Sequence, residues 1–190
     1  MKQRYYIAYG SNLNLSQMKH RCPGARLVAT GTVKDYELQF RGHPIGSFAT
    51  IVPQKGAEVP VGVWTVNKAD ERSLDIYEGF PNHYFKQTVP VVLQDGREIT
   101  GTVYRMNLRA EIGLPSSHYY ATVRQGYADC GLDPTALNAA LRTSLDHFYG
   151  DLSDQISETG SEDETTNDAY EDAGIVEEDD VEVDPWQMQW

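Results

Sequence analysis

The chain has 190 residues, 40% hydrophobic and 23% charged. That is enough for one core that buries roughly 70% of the surface of a 150-residue body, and no stretch approaches the ~20 apolar residues of a membrane span. Its net charge of −12 is local: residues 1–150 carry 16 basic and 13 acidic side chains, +3, whereas residues 151–190 carry 15 acidic and no basic ones, −15. The basic residues of the body form no stripe, so nothing points to nucleic acid.

Tyr5 to Tyr9 is aromatic and β-branched enough for a buried strand. Asn12 or Asn14 can cap a short helix to about Arg21, ended by Pro23-Gly24. Leu27 to Phe40 alternates as a long strand, with Gly31 expected at a bend. Ser47 to Val52 and Val61 to Val66 are expected as two separate strands. Asn67, with Asp70 and Glu71 in the first turn, starts a helix that runs to about Tyr77 and stops at Gly79-Phe80-Pro81. Tyr84 to Leu93 and Arg97 to Met106 flank Asp95-Gly96, a strong hairpin signal. Pro115-Ser116 opens a helix that Gly131 ends, and Asp133-Pro134 opens another, with Leu137, Leu141, Leu145 and Phe148 on one face. Strands do not alternate with helices, so the fold class is α+β: a small mixed or antiparallel β-barrel with appended helices, followed by an acidic C-terminal tail.

We divide the chain into a body, 1–150, and a tail, 151–190, too acidic and too poor in apolar residues to order itself. The tail ends in Pro185-Trp186-Gln187-Met188-Gln189-Trp190, either a random end of the acidic tail or an anchor that docks on this chain or on a partner. Only two cysteines are present, Cys22 and Cys130, and the N-terminal apolar run is too short for a secretory signal. Reduced thiols and a cytoplasmic location are therefore expected.

Gly10-Ser11-Asn12 closes the first strand and presents backbone N–H groups and a hydroxyl, a cradle for a carboxylate. Ser11 is no hydrolase nucleophile, because Gly-x-Ser-x-Gly is not met. Glu78, at the end of a helix and near Tyr77, Phe80, Tyr84 and Phe85, is expected to have a raised pKa from the helix dipole and the surrounding rings. Such a carboxyl suits proton transfer near neutrality. Cys22 with His20 lacks a third orienting group for a thiol nucleophile, and the scattered histidines have no zinc-ligand spacing.

Tyr9-Gly10-Ser11-Asn12-Leu13, Leu74-Asp75-x-x-Glu78-Gly79 followed by Tyr84, Gly101-x-Val103-Tyr104, and Pro115-Ser116-x-x-Tyr119 occur in an order that resembles the γ-glutamylcyclotransferase family over about residues 4–148. The resemblance implies a small β-barrel and release of 5-oxoproline from a small-molecule γ-glutamyl substrate, by attack of its own α-amine on its γ-carbonyl, with no cofactor and no metal. It further implies that Glu78 is the general base and acid, that Tyr9, Gly10, Ser11, Asn12 and Leu13 hold the glutamyl α-carboxylate, and that Tyr84 and Tyr119 line the pocket, with Tyr120 an equally placed neighbour. The leaving group, an amino acid, Cys-Gly or an amine, stays open, with Arg41 to Pro44 and Pro81 to His83 as candidates for the outer wall. A non-catalytic binding module on the same scaffold, with the tail as its interaction segment, is the alternative.

Overall fold

β1, Tyr5–Ala8, leads through a 3-10 turn, Ser11–Leu13, into α1, Leu15–Arg21. Asn14 caps α1, its side chain accepting the Gln17 N–H at 3.0 Å. β2, Arg26–Gly42, and β3, Phe48–Thr65, form a long antiparallel hairpin, and α2, Lys68–Tyr77, follows. β4, Tyr84–Leu93, and β5, Glu98–Met106, form the Asp-Gly hairpin, followed by a short β6, Glu111–Ile112, then α3, Ser117–Asp129, and α4, Thr135–Thr159. The computed structural model describes residues 3–107 and 109–159, those from 151 onward by their backbone alone. The Trp-containing end of the tail therefore lies outside the described residues.

The strands run β3-β1-β5-β4-β2, and β2 pairs back onto β3, closing a five-stranded barrel. Neighbours are antiparallel except β1 and β5, which run parallel and meet at Tyr6 and Thr102. Ile7, Val33, Phe40, Ile51, Val59, Val61, Val63, Val89, Val91 and Val103 are wholly buried in the core. α4 packs mainly on β2 and sinks Leu137 completely; Leu141, Leu145 and Phe148 are only half-buried.

One expectation about strands needs correction, and two details go beyond the sequence reading. The segments Ser47 to Val52 and Val61 to Val66 belong to one strand, β3, because β2 supplies ladder partners along nearly its whole length. The interruption is a bulge in which residues 54–57 oppose Asp35 alone; Asp35 adopts φ 59°, and its carboxylate accepts the Gly56 N–H at 2.9 Å. Gly31 interrupts no ladder, since the β2–β3 register is continuous across it. Its small size serves the approach of β4, where a Cβ would lie 2.5 Å from the Val92 carbonyl oxygen. β6 is too short to leave a sequence signal and adds to β2 at Arg41 and Gly42.

Candidate active site

Two segments converge at one end of the β1 strand. The first is the turn after Tyr9. The Leu13 N–H donates to the Gly10 carbonyl at 2.9 Å and the Asn14 N–H to that of Ser11 at 3.1 Å. The N–H groups of Ser11 and Asn12, being the first of the turn, have no partner within it. α3 lies directly on this turn because position 126 is glycine: a Cβ there would sit 2.6 Å from both the Asn14 nitrogen and Leu13 Cβ.

The second segment is the end of α2. Its start is fixed by a capping box between Asn67 and Asp70. Asp70 also accepts the Gly24 N–H at 3.0 Å, tying the exit of α1 to the start of α2. Glu78 is the C-terminal cap, its N–H donating to the Leu74 carbonyl at 2.8 Å. Its Oε1 accepts from Asn12 Nδ2 at 2.9 Å, and the same nitrogen donates to the Tyr6 hydroxyl at 2.8 Å. Asn12 Oδ1 in turn accepts from Arg21 Nη1 at 2.7 Å. The Arg21 guanidinium lies 3.6 Å from the centre of the Tyr77 ring.

A small cavity between these segments is lined by Tyr6, Tyr9, Gly10, Ser11, Asn12, Ala49, Glu78, Tyr84, Tyr104 and Tyr119. Tyr9 donates to the Tyr104 carbonyl at 2.6 Å. Tyr84 donates to the Ala49 carbonyl at 3.0 Å, while the Tyr119 oxygen accepts the Ala49 N–H at 3.1 Å. Tyr119 thus keeps its own hydroxyl hydrogen for another acceptor.

Burial raises the Glu78 carboxyl from 4.5 to about 7, against the opposing effects of Arg21 and the Asn12 hydrogen bond. The residue as a whole is half-buried, yet its carboxyl group has the surroundings of the interior. Burial first, with the Glu78 charge adding to it, pushes Tyr6, Tyr9, Tyr84 and Tyr119 upward, so they stay neutral hydroxyls. A carboxyl that changes charge near neutrality, beside N–H groups that the turn itself leaves unpaired and a hydroxyl donor, can hold an anionic group and pass protons to a neighbour.

Of the residues singled out in the sequence, Tyr9, Gly10, Ser11, Asn12, Glu78, Tyr84 and Tyr119 meet on this cavity. Leu13 does not: it is wholly buried beneath the turn and its N–H is spent on Gly10. Tyr120 faces away, its hydroxyl donating to Asn138 at 3.1 Å on α4. The rings around Glu78 also differ from expectation. Phe80 and Phe85 are more than a third exposed, and Phe85 lies against Arg105. Their places are taken by Tyr6, Tyr9, Tyr104 and Tyr119. Neither Arg41 to Pro44 nor Pro81 to His83 lines the cavity. Tyr6, Tyr104, Ala49 and Arg21 were not foreseen; the one available signal was the aromatic excess of β1.

Cys22 is buried while His20 is exposed, so they form no dyad. Burial pushes both thiols up to about 11; Cys22 donates to the Asp70 carbonyl at 3.5 Å and Cys130 to that of Leu13 at 3.4 Å. Among the described residues no group of three His, Cys, Asp or Glu side chains could hold a metal ion, and no helix is long and apolar enough to cross a membrane.

Residues 6–121 match the family described as gamma-glutamyl cyclotransferase, AIG2-like. The chain is 33% identical over 163 residues to the gamma-glutamylcyclotransferase of Bos taurus, across 80% of this chain and 85% of that one. It is 32% identical over 169 residues to that of Homo sapiens, across 84% and 89%. A solved structure named gamma-glutamyl cyclotransferase superposes with a TM-score of 0.66 at 32% identity, over 74% of this chain and 87% of that one. YkqA from Bacillus subtilis gives 0.63 at 21% identity over 76% and 55%, a likeness of fold alone. With the barrel, the turn and the similarity running over the same stretch, the chain belongs to the gamma-glutamyl cyclotransferase, AIG2-like family of enzymes.

Proposed function

We propose that the protein releases 5-oxoproline from a small γ-glutamyl compound by intramolecular cyclisation, with Glu78 moving the protons. The observation that carries this reading is the Glu78 carboxyl, raised to about 7 and hydrogen-bonded to Asn12 of the turn after β1. The substrate's α-carboxylate is held by the Ser11 and Asn12 N–H groups and the Ser11 hydroxyl. Tyr119, with a hydroxyl hydrogen to spare, donates to the same carboxylate or to the γ-carbonyl oxygen. The chain is thereby folded back so that the α-amine meets the γ-carbonyl. Orientation of this kind supplies roughly 7–11 kcal/mol when two reacting groups are held together.

Ionised Glu78 takes a proton from the α-ammonium, and the freed amine forms a bond to the γ-carbon while the carbonyl electron pair moves to oxygen. Collapse of that intermediate breaks the bond to the leaving nitrogen, which receives the proton from Glu78. The surplus proton on the new ring nitrogen passes through the same carboxylate to the departing amine, which leaves as an ammonium. The carboxyl ends the cycle ionised, and no co-reactant is consumed. A group with a pKa near the working pH serves both halves of such a cycle, a contribution of about 10²–10⁴-fold. Glu78→Gln is the test: the variant should fold and lose about 10²–10⁴-fold in 5-oxoproline release from a panel of γ-glutamyl amino acids, glutathione and γ-glutamyl-lysine. Near-normal turnover would refute the assignment.

A further inference from the structure

We propose that Arg21 is a positioning residue for Glu78: it locks the Asn12 amide in one orientation and sets a full positive charge close to the Glu78 carboxyl. The inference rests on the reading of Glu78 as the group that moves protons. Arg21 is not among the residues that line the cavity, and its contact with the Glu78 carboxyl runs through Asn12.

An asparagine amide has a donor end and an acceptor end of nearly the same shape, and only the donor end suits a carboxylate. Both hydrogens of Asn12 Nδ2 are in use, one to Glu78 Oε1 at 2.9 Å and one to the Tyr6 hydroxyl at 2.8 Å. The reversed amide would set an oxygen against the carboxylate and an NH₂ against the guanidinium. The 2.7 Å bond from Arg21 Nη1 to Asn12 Oδ1 makes that reversal costly, since charge-assisted bonds are the strong ones.

Arg21 is itself held from three sides. It ends α1, whose exit is pinned by the Cys22 N–H on the Met18 carbonyl at 2.8 Å and the Gly24 N–H on Asp70. Its guanidinium stacks on Tyr77, the residue before Glu78, and its Nη1 reaches Ser11 Oγ at 3.4 Å. One cation thus touches the turn that precedes α1 and the end of α2 that carries Glu78. Lysine, a point charge without a planar fork, could supply the charge but not the stacked geometry.

Apart from His83, which packs on the adjoining Gly79, the titratable groups that face Glu78 are Tyr6 from β1, Tyr9 just after it, Cys22 beyond α1, Tyr77 from α2, Tyr84 from β4, Tyr104 from β5 and Tyr119 from α3. Burial raises every one of them, so all are neutral around pH 7. Asp75 and Lys86 pair with each other at 2.6 Å beyond the Tyr104 hydroxyl. Arg21 is then the charge that opposes the burial of Glu78.

The test compares wild type, Arg21→Gln and Arg21→Lys in the full chain, following the Glu78 carboxyl carbon by NMR across pH, with Glu78→Gln to assign the signal. Circular dichroism reports folding. In Arg21→Gln the Glu78 titration should move up by about one pH unit, as loss of a nearby opposite charge implies. The acidic limb of kcat/KM should move with it, so that the loss at pH 6 exceeds the loss at pH 8.5 by about tenfold. Arg21→Lys should keep the wild-type titration while lowering kcat. An unmoved Glu78 titration in folded Arg21→Gln, or a shift of a full pH unit in Arg21→Lys, would overturn the proposal; should Arg21→Gln fail to fold, the lysine variant decides alone. The carbon signal is read without turnover, so activity in Glu78→Gln would sink the catalytic reading and leave this result standing.

Discussion

A buried carboxyl that titrates near neutrality should weaken the fold wherever it is ionised. The Glu78 carboxyl rises from 4.5 to about 7 on folding. In that interval the folded protein binds more protons than the unfolded chain, so stability falls as pH rises through it. Below pH 4.5 the group is protonated in both states and costs nothing. Above pH 7 it is ionised in both, and the full difference is expressed, about 3 kcal/mol at 1.36 kcal/mol per pH unit. Glu78→Gln is neutral throughout and its Oε1 can still accept from Asn12. The variant should therefore match wild type near pH 4.5 and exceed it by about 3 kcal/mol at pH 8.5. Urea unfolding of both proteins at several pH values measures this as a double difference, in which the acidic tail and all other groups cancel. A stability gap that stays constant with pH would show that burial does not act on this carboxyl as described. The same comparison would locate a trade between activity and stability at one side chain.

Two further changes probe the frame around the site. Gly126→Ala gains about 1 kcal/mol of helix propensity but sets a methyl 2.6 Å from the Asn14 nitrogen and 2.8 Å from the Leu13 carbonyl carbon, backbone that cannot swing aside. Overpacking of this kind costs about 1–3 kcal/mol, so thermal unfolding should show a net loss, and displacement of the turn should raise KM; a higher Tm with unchanged kinetics would contradict the close approach. Tyr119→Phe leaves the Ala49 N–H without its acceptor, a loss of about 1–3 kcal/mol for a buried donor, and removes a hydrogen-bond donor from the cavity. Its kcat/KM should fall while Tyr120→Phe, whose hydroxyl meets Asn138, keeps wild-type kinetics.

Local chemistry was legible in the sequence because it is enforced locally. Asn67 with Asp70 in the first turn, Asp95-Gly96 between alternating strands, and Ser116 before α3 all perform the roles their types suggest. The turn at Gly10-Ser11-Asn12 was readable for the same reason. Long-range pairing was not. Pro53, Gly56 and Pro60 look like strand breakers, yet β2 holds both prolines in register and the extra residues are absorbed in the bulge opposite Asp35. Tyr6 and Tyr104 were invisible as site residues because their neighbourhood depends on the parallel pairing of β1 with β5, which brings their rings to 5.8 Å. Arg21 was missed because a basic residue in the last turn of a short helix is ordinary, and only the folded chain sets it between Asn12 and Tyr77.

The two thiols, each raised to about 11, make the protein its own clock. At neutral pH only about one thiolate in 10⁴ is present at either position, and the thiolate is the species that alkylating reagents attack. Cys22 is buried under the start of α2, and Cys130 is half-buried against the carbonyl of Leu13, so the two report on different halves of the site's frame. Labelling of Cys22 therefore times the separation of α1 from α2, while labelling of Cys130 reads the accessibility of the end of α3 beside the turn. The two halves of the frame can be followed separately in the unmodified chain, with no probe engineered into it.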